Sequence, residues 1–242
     1  MVGMFLRSTF SYLFLGIVLV FIGIPCFLMM LLPDRWRYDN KFFFWLSHVF
    51  YVASLKAAMI PVTIIGKENI PKEPVIIAAN HQSSLDIPLV GSVLNGFPHV
   101  WLAKSELART PLSPILRRMA VLIDMSTPQR GLRSLMKAIK LVNGKKRHAI
   151  IFPEGGRDIN GNTVCEFFAG FAMLAKHTNR PVVPIMIFDA YKVYPPGSYF
   201  VHRHPVKVVI GKPIHMKDNE DTDEFRDRVY QWFVRQVNES EK

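Results

Sequence analysis

The sequence predicts an α/β fold in which helices flank a mostly parallel or mixed central sheet, preceded by an N-terminal hydrophobic two-helix membrane segment. Three observations support this prediction. After residue 60, short apolar runs typical of strands alternate with amphipathic stretches, which is the pattern of α/β domains. The run VIIAA at 75–79 is apolar on both faces, as expected of a central strand. Before residue 60 the apolar runs are long and lack such turn signals.

The strands are expected where short apolar runs end at turn residues. They are predicted at residues 61–66, 75–79, 99–103, 121–125, 148–152, 181–188 and 206–211. Helices are predicted between them at residues 85–95, 112–120, 131–142 and 167–178. A last helix is expected to begin after Asp221 and to continue through Val237, because Asp221 and Glu224 have the spacing of a capping box.

The N-terminal segment begins with a long apolar run. Residues 8–33 carry no charged or histidine side chain, and about 20 apolar residues suffice to cross a hydrocarbon core as a helix. A cleaved signal peptide is the alternative, but no small-residue cleavage site follows the run. A second run at 42–55 is short for a span, and its Trp and Tyr suit the headgroup region. The two could form one span plus an interfacial helix, or a hairpin that enters one leaflet. We expect residues 1–60 to anchor the chain in a membrane and residues 61–242 to form the α/β domain.

The charge balance limits the partners. The chain of 242 residues carries 30 Lys and Arg against 19 Asp and Glu, a formal net charge of +11. Such a surplus fits nucleic acid, an anionic membrane surface, or a phosphorylated or acidic substrate. No arginine-rich tract, zinc-knuckle spacing or RNA-binding aromatic motif occurs, which argues against nucleic acid, and the hydrophobic N-terminus favours the membrane. Two cysteines, Cys26 and Cys165, exclude a disulfide framework and indicate a domain that faces the reducing cytosol.

A polar cluster, NHQSSLD, directly follows the central strand and places His81 and Asp86 five positions apart. On one continuous helix this spacing puts two side chains about 140° apart, so they can meet only across a strand-to-helix turn. Ser83 or Ser84 is the expected N-cap of the helix, which places Asp86 in the first turn. Asp86 could then fix the tautomer of His81 and leave its other nitrogen as a base, as in a Ser-His-Asp triad without the serine. In the alternative, Asp86 only complements the helix N-terminus and His81 is a loop residue.

A second signal is the stretch IIFPEGGRD at 150–158, in which a strand runs into two glycines and an arginine. Such a loop lies at the carboxyl end of the sheet, where open α/β folds bind ligands. Gly155 and Gly156 let backbone N–H groups approach an anion, and Arg157 can hold phosphate oxygens in bidentate fashion. A tight turn with a surface ion pair is the alternative for this stretch alone. Beside a His-Asp pair without a protein nucleophile, the loop favours direct transfer of a group to a hydroxyl of the substrate.

The two stretches together resemble the glycerophospholipid acyltransferases, in particular the 1-acylglycerol-3-phosphate acyltransferases. The resemblance spans roughly residues 62–190 and rests on four ordered blocks. These blocks comprise Asn80, His81 and Asp86; AKSELARTP with Lys104; Phe152, Pro153, Glu154, Gly155 and Arg157; and Val183, Pro184 and Ile185. The resemblance implies that His81 takes the proton of the acceptor hydroxyl and that Asp86 orients His81. It also implies an acceptor site formed by Lys104, Glu154, Gly155, Gly156 and Arg157.

The sequence departs from the family pattern at two places. Gly156 and Asp158 stand where the family usually has Thr and Ser, which removes a hydroxyl donor and adds a negative charge. Asp124 is followed by Met125 where the family usually has an Asp-Arg pair, and Arg130 or Arg133 could substitute for that arginine. The acceptor site is therefore expected to be remodelled.

The resemblance implies a membrane-bound enzyme of phospholipid biosynthesis. It would move a fatty acyl group from acyl-CoA or acyl carrier protein to the sn-2 hydroxyl of lysophosphatidate, giving phosphatidate. The thioester is a co-substrate, so no cofactor is expected, and the remaining histidines show no metal-ligand pattern. Another lysophospholipid or lyso-lipid acceptor stays open, as does a non-catalytic protein that binds anionic membranes, although binding alone requires no base. The catalytic domain is expected on the cytoplasmic side of a membrane, the inner membrane in a bacterium.

Overall fold

The computed structural model describes residues 2–33, 36, 40–109, 120–143, 146–157 and 164–240. Strands within these residues are β1 Val62–Ile65, β2 Ile76–Ala79, β3 His99–Lys104, β4 Ala120–Ile123, β5 His148–Ile151, β6 Val182–Phe188 and β7 Val206–Ile210. The α-helices are α1 Val2–Val18, α2 Ile24–Met30, α3 Lys41–Ala57, α4 Asp86–Val93, α5 Pro128–Val142, α6 Gly170–Thr178, α7 Ala190–Val193 and α8 Thr222–Ser240. A π-helical turn, Leu19–Gly23, joins α1 to α2, and 3₁₀ turns occupy Lys67–Asn69 and Ser105–Arg109.

The strands form one sheet with the order β1-β7-β6-β2-β5-β3-β4. The five strands from β6 to β4 are parallel, whereas β7 is antiparallel to β6 and parallel to β1. The sheet is therefore mixed and agrees with the predicted fold class. Because β2, β5 and β3 are parallel neighbours, the segments that follow them meet at one edge of the sheet, here called the carboxyl edge.

Two hydrophobic cores cover the two faces of the sheet. Alternate residues of a strand point to opposite faces, so Ile76 and Ala78 of β2 belong to one core and Ile77 and Ala79 to the other. The first core is closed by α5, α6 and α8, and the second by α3, α4 and α7. All residues of β2 and β6 are buried, as expected of strands covered on both faces.

The second apolar run forms α3, which packs on the α/β domain. The Tyr51 ring is 3% exposed and lies against Gly91 of α4, where an added Cβ would come within 2.3 Å of Tyr51 Cδ2. The Tyr51 hydroxyl accepts a hydrogen bond from Trp101 Nε1 at 3.2 Å and lies 3.1 Å from His99 Nε2. A glycine at position 91 thus permits a close helix contact, and α3 becomes part of a helical layer on the sheet. The predicted division of the chain at residue 60 stays a prediction.

The first apolar run forms α1 and α2, outside α3. Within the described part of the chain, one helical segment, Gly3–Met30, is long and apolar enough to cross a membrane. Both of its ends contact folded protein: the Arg7 guanidinium donates to the carbonyl of Ala58, and Cys26 and Met30 pack against the beginning of α3. The predicted pair of N-terminal helices is therefore present, and only the first of them has the length and composition of a span.

The predicted helix bounds differ from the observed ones where local contacts compete. The capping box is confirmed: Asp221 Oδ1 accepts from the main-chain N–H of Glu224 at 2.8 Å, and Glu224 Oε2 accepts from that of Asp221 at 3.2 Å. Helix α5 begins earlier than predicted because Thr127 Oγ1 accepts from the N–H of Arg130 at 3.3 Å and caps it.

Helix α6 begins at Gly170, later than the predicted residue 167. The N–H of Phe168 donates to the carbonyl of Pro153 at 2.9 Å, which keeps the chain out of the helix there and ties it to the segment after β5. The helix predicted at 112–120 lies outside the described residues except for Ala120, which begins β4.

Candidate active site

The predicted site residues come together at the carboxyl edge of the parallel strands. His81 follows β2, the segment 152–157 follows β5, and Lys104 ends β3. Since β5 lies between β2 and β3, its loop has His81 on one side and Lys104 on the other. Asp86 joins them as the first residue of α4. The structure thus brings His81, Asp86, Lys104 and the segment after β5 to one edge of the sheet.

His81 and Asp86 form a hydrogen-bonded pair across the strand-to-helix turn. His81 Nδ1 lies 2.8 Å from Asp86 Oδ2, which also accepts the main-chain N–H groups of Gln82 at 2.6 Å and Ser83 at 2.7 Å. Asp86 is 0% exposed, whereas the His81 side chain is 13% exposed. Because Oδ2 accepts the two main-chain N–H groups, its hydrogen bond with His81 places the proton on Nδ1. The lone pair of His81 is thereby left on Nε2.

The predicted serine N-cap is wrong. Helix α4 begins at Asp86, and the preceding Leu85 makes no side-chain cap. Ser83 Oγ accepts only weakly from the N–H of Leu85, at 3.3 Å, and donates to the carbonyl of Tyr194 at 2.8 Å, while Ser84 is exposed. The buried carboxylate is the stronger acceptor and takes the N–H groups of the turn. The Ser83 hydroxyl instead ties the turn to the segment after β6.

Asn80 fixes the end of β2 to β6. Its Nδ2 donates to the carbonyl of Ile187 at 2.8 Å, and its Oδ1 accepts from the N–H of Ile187 at 2.7 Å. The side chain is 0% exposed, so both bonds are shielded from water. Asn80 thus replaces a pair of ladder hydrogen bonds where the strand ends and sets the position of His81. The sequence identified Asn80 as a motif residue but gave no signal for this contact.

The segment after β5 holds His81 from the other side. The N–H of His81 donates to Glu154 Oε1 at 3.1 Å. The Phe152 ring stacks on the imidazole with centroids 4.0 Å apart and planes at 11°, and Trp101 stacks behind Phe152 at 5.8 Å. These contacts fix both the position and the plane of the imidazole, and sequence reasoning missed them. The place of Phe152 directly at the end of a strand was the available signal.

The two glycines and the cations form the remaining part of the site. Gly155 has φ +66°, and an added Cβ would lie 2.8 Å from Phe168 Cε2 and 3.4 Å from Lys104 Cε. A Cβ on Gly156 would lie 3.8 Å from Lys104 Nζ, so the ammonium group is beside the glycines. Arg157 is exposed at the end of the same segment. Two cationic side chains and a backbone free of side chains suit the binding of an anion.

One of the two arginines predicted as substitutes for the family arginine contacts Asp124. Arg130 Nη1 lies 3.8 Å from Asp124 Oδ2 at the end of β4. Of the two arginines predicted as substitutes, Arg130 makes this contact. The Arg130 side chain is 64% exposed and that of Asp124 is 35% exposed, so water screens the pair and it contributes little to stability. The second departure, Asp158, lies outside the described residues.

The buried histidines lie at the opposite edge of the sheet. His99 and His148 begin β3 and β5, and their Cα atoms face each other in the ladder. Burial lowers the pKa of His99 to about 4 and that of His148 to about 3, so both are neutral at pH 7. His148 Nδ1 accepts from the N–H of Val75 at 3.1 Å. These histidines serve the fold, and within the described residues no group of three His, Cys, Asp or Glu could hold a metal ion.

Comparison with known proteins places these residues in a family. A family model described as Acyltransferase matches residues 61–188. The 1-acyl-sn-glycerol-3-phosphate acyltransferase of Pseudomonas aeruginosa is 30% identical over 223 residues, which cover 87% of this chain and 81% of that protein.

Longer relatives match over a smaller share of their length. The proteins of the same name from Limnanthes douglasii and Saccharomyces cerevisiae are 29% and 30% identical over 187 and 175 residues. These alignments cover 76% and 69% of this chain, but only 66% and 57% of the plant and yeast proteins. The chain therefore spans less than two thirds of the length of these relatives.

Among solved structures, the crystal structure of the 1-acyl-sn-glycerophosphate (LPA) acyltransferase PlsC from Thermotoga maritima is similar to this chain over almost its whole length. The TM-score is 0.79 and the sequence identity 28%, and the match covers 98% of this chain and 97% of that one.

Proposed function

This chain belongs to the acyltransferase family, and from that premise we propose that it moves a fatty acyl group from a thioester donor, acyl-CoA or acyl carrier protein, to the sn-2 hydroxyl of lysophosphatidate. The product is phosphatidate, an intermediate of phospholipid synthesis. One observation carries the proposal: His81 is held by Asp86 with Nε2 open at the carboxyl edge, next to glycines and cations suited to a phosphate.

The geometry of the pair defines the reaction steps. Asp86 accepts Nδ1–H, so Nε2 of His81 removes the proton of the acceptor hydroxyl as its oxygen attacks the thioester carbonyl. The tetrahedral intermediate breaks its C–S bond, and the thiolate takes the proton from the imidazolium. An ester bond forms, the thioester bond breaks, and His81 returns to its neutral state. A positioned base of this kind contributes about 10²- to 10⁴-fold to the rate.

The acceptor phosphate is proposed to bind at the segment after β5. The Lys104 ammonium and the Arg157 guanidinium supply positive charge, and Gly155 and Gly156 let an anion approach the backbone. Glu154 accepts the N–H of His81, and a carboxylate repels a phosphate, so we assign to it the positioning of the His81 turn. Its predicted contact with the acceptor stays a prediction.

We infer that the enzyme enters one leaflet of a membrane through its N-terminal helices. The 28-residue segment Gly3–Met30 is about 42 Å long at 1.5 Å per residue, against a hydrocarbon core of about 30 Å. Both of its ends contact α3 or the residue directly after it, and α3 packs on the sheet, so a perpendicular span would draw α3 and the sheet into the hydrocarbon. Impermeant labels applied to sealed vesicles should reach residue 3 and the C-terminus from the same side, and labelling from opposite sides would contradict this topology. We expect that side to be the cytoplasm, because the two cysteines form no disulfide framework.

The activity is tested with full-length protein in detergent micelles or vesicles. Purified protein receives lysophosphatidate with acyl-CoA or acyl carrier protein, and the products are identified by mass spectrometry. We expect phosphatidate from the wild type, a loss of about 10²- to 10⁴-fold in kcat for His81→Ala, and full activity for His177→Ala, which changes an exposed histidine on α6. Full turnover by His81→Ala would exclude the mechanism. Preference for another lysolipid in a panel of acceptors would retain the chemistry and replace the acceptor, and binding of vesicles without turnover would favour a non-catalytic role.

A further inference from the structure

We propose that the outer face of α5 is a docking surface for an acidic carrier protein that brings the acyl chain as a thioester on a phosphopantetheine arm. The surface, here called the basic ridge, consists of Arg130, Arg133, Lys137 and Lys140. The inference rests on the proposed acyl transfer and assigns the form of the donor and the surface that receives it.

The basic ridge is continuous and one-sided. At 100° per residue its four cations fall within an arc of about 80°, and at 1.5 Å per residue they extend over about 15 Å. All four are exposed, and the sequence of α5, PQRGLRSLMKAIKLV, contains no Asp or Glu. An ordinary solvated helix mixes both signs of charge and gains from pairs of opposite sign three or four residues apart. Like charges at these spacings weaken the isolated helix, so a role in binding explains them better than a role in folding.

Apolar side chains border the basic ridge. Leu132 and Met136 are 52% and 39% exposed. At 100° per residue, Met136 lies about 40° beyond Lys140 around the helix, and Leu132 about 80° beyond it. The opposite face of the helix is buried, and its Leu135 packs in the first core. A row of cations next to exposed Leu and Met matches an amphipathic acidic helix, whose carboxylates meet the ridge and whose apolar face covers the two side chains.

The basic ridge begins close to the reactive histidine. Helix α5 starts directly after β4, at the carboxyl edge, and must run back along the sheet because β5 is parallel to β3 and β4. In the order β2-β5-β3-β4, three strand spacings of about 4.8 Å separate β4 from β2, or about 14 Å. Arg130 is therefore at the end of the ridge nearer His81. An extended pantetheine arm from a protein docked at this end can reach the carboxyl edge.

The position of the basic ridge argues against a lipid surface as its partner. Helix α5 packs on the core that contains Ile76 and Ala78, whereas α3 packs on the opposite core and carries α1 and α2 on its outer side. The basic ridge and the long apolar helix thus lie on opposite faces of the sheet. A bilayer that receives Gly3–Met30 leaves the basic ridge directed toward the aqueous phase, where a soluble protein can bind it.

The attraction is electrostatic and therefore depends on ionic strength. The Cβ atoms of neighbouring ridge residues are about 5–6 Å apart. This spacing is less than the Debye length of about 8 Å at physiological salt, so the fields of the cations add. A complementary row of carboxylates gains association rate from such a field, and the gain falls as salt is added. Acyl-CoA carries its negative charge on one compact set of phosphates and offers no such row of carboxylates, so we expect its use to depend less on the basic ridge.

The test compares two donors in the full-length enzyme. In the double variant Arg133→Glu/Lys137→Glu, we expect the KM for palmitoyl carrier protein to rise about tenfold or more at low salt, with kcat and the KM for palmitoyl-CoA within about twofold. The matched control, Lys176→Glu/Arg235→Glu, makes the same change in net charge on α6 and α8, which cover the same face of the sheet, and should leave both KM values unchanged. Equal effects of the two double variants would overturn the proposal.

Binding is measured apart from turnover. Fluorescence anisotropy of labelled carrier protein should show weaker binding to the ridge variant and wild-type binding to the conservative variant Arg133→Lys/Lys137→Arg. This measurement separates the two proposals. If the enzyme binds the carrier protein but turns over neither donor, the proposed function alone is overturned. If it turns over acyl-CoA but does not bind the carrier protein, the docking role of the basic ridge alone is overturned. If the ridge variant no longer sediments with vesicles of phosphatidylglycerol and phosphatidylethanolamine but still binds the carrier protein, the basic ridge is assigned to the membrane instead. Thermal unfolding shows that the variants are folded.

Discussion

Replacing Asp86 by Asn should remove the charge beside His81 while leaving the shape of the turn. Asp86 Oδ2 accepts three N–H groups, whereas the buried Oδ1 has no hydrogen-bond partner among the described residues. In Asp86→Asn the amide oxygen must take the place of Oδ2, because an NH₂ group there would face three donors. The bond from His81 Nδ1–H then survives, but its acceptor is neutral. The variant therefore tests the charge of Asp86 more than its geometry.

The structure sets bounds on the loss of activity. A hydrogen bond to a charged group contributes about 1.5–3 kcal/mol and a neutral one about 0.5–1.5 kcal/mol, so the exchange alone costs about 1–1.5 kcal/mol when His81 becomes positively charged. The full attraction between unit charges about 4 Å apart is about 4 kcal/mol at an effective dielectric constant of about 20. These bounds correspond to a decrease in kcat of about 10- to 10³-fold. The new NH₂ group, buried where Oδ1 was, should also lower the free energy of unfolding by about 1–3 kcal/mol.

The assay measures kcat and the acceptor KM in parallel with thermal unfolding, so that rates refer to folded enzyme. We expect kcat to fall and KM to stay within about twofold, because Asp86 acts on the base and the phosphate binds elsewhere. The matched control is Ser84→Ala, an exposed residue of the same turn, which should keep the wild-type kcat. A folded Asp86→Asn enzyme with wild-type kcat, or one impaired only in KM, would refute the assigned role.

Two further predictions concern aromatic and histidine contacts. Phe152→Leu removes the ring stacked on His81 and should lower kcat by about two- to tenfold, because an aromatic pair contributes about 0.5–1.5 kcal/mol beyond burial. The control Phe97→Leu removes the ring 4.1 Å from His148 at the opposite edge and should leave kcat unchanged. Equal losses of kcat in the two variants would indicate general destabilisation. The free energy of unfolding should fall as the pH is lowered from about 6.5 to about 4. Burial lowers the pKa of His99 to about 4 and that of His148 to about 3, so in this range only the unfolded chain takes up protons on these histidines. Each histidine contributes a slope of up to about 1.4 kcal/mol per pH unit. Denaturant titrations at several pH values measure this slope, and His148→Asn, which keeps an acceptor for the N–H of Val75, should reduce it by about half; an unchanged slope would contradict the assignment.

The elements that the sequence predicted correctly are those determined by local pattern. An apolar run buried on both faces predicted β2, and a polar cluster at its end predicted the contact of His81 with Asp86, because a spacing of five requires a strand-to-helix turn. The capping box at Asp221 is equally local. In each case the residues that decide the structure are neighbours in the chain.

The features that the sequence did not predict depend on partners distant in the chain. Hydrophobicity alone does not tell a helix that faces lipid from one that packs on protein, so the contact of Tyr51 with Gly91 was not foreseen. Competition decided the turn: serine is a good N-cap in isolation, but the Asp86 carboxylate is a better acceptor, and Ser83 found the carbonyl of Tyr194 instead. Periodicity also gives no strand direction, so the antiparallel pairing of β7 with β6 required the structure.

The same long-range contacts explain why the turn can act as a base without a protein nucleophile. His81 is fixed from three directions: Asn80 fastens the preceding residue to β6, Glu154 holds its N–H from the segment after β5, and Asp86 holds its ring from α4. A base held in this way loses little energy to reorganisation during proton transfer, since its orientation is set before the substrate arrives. It faces the carboxyl edge, where the Lys104 ammonium lies beside the glycines. An acceptor bound there by its phosphate would bring its own hydroxyl to His81, and the attacking oxygen of the proposed transfer is therefore that of the lipid.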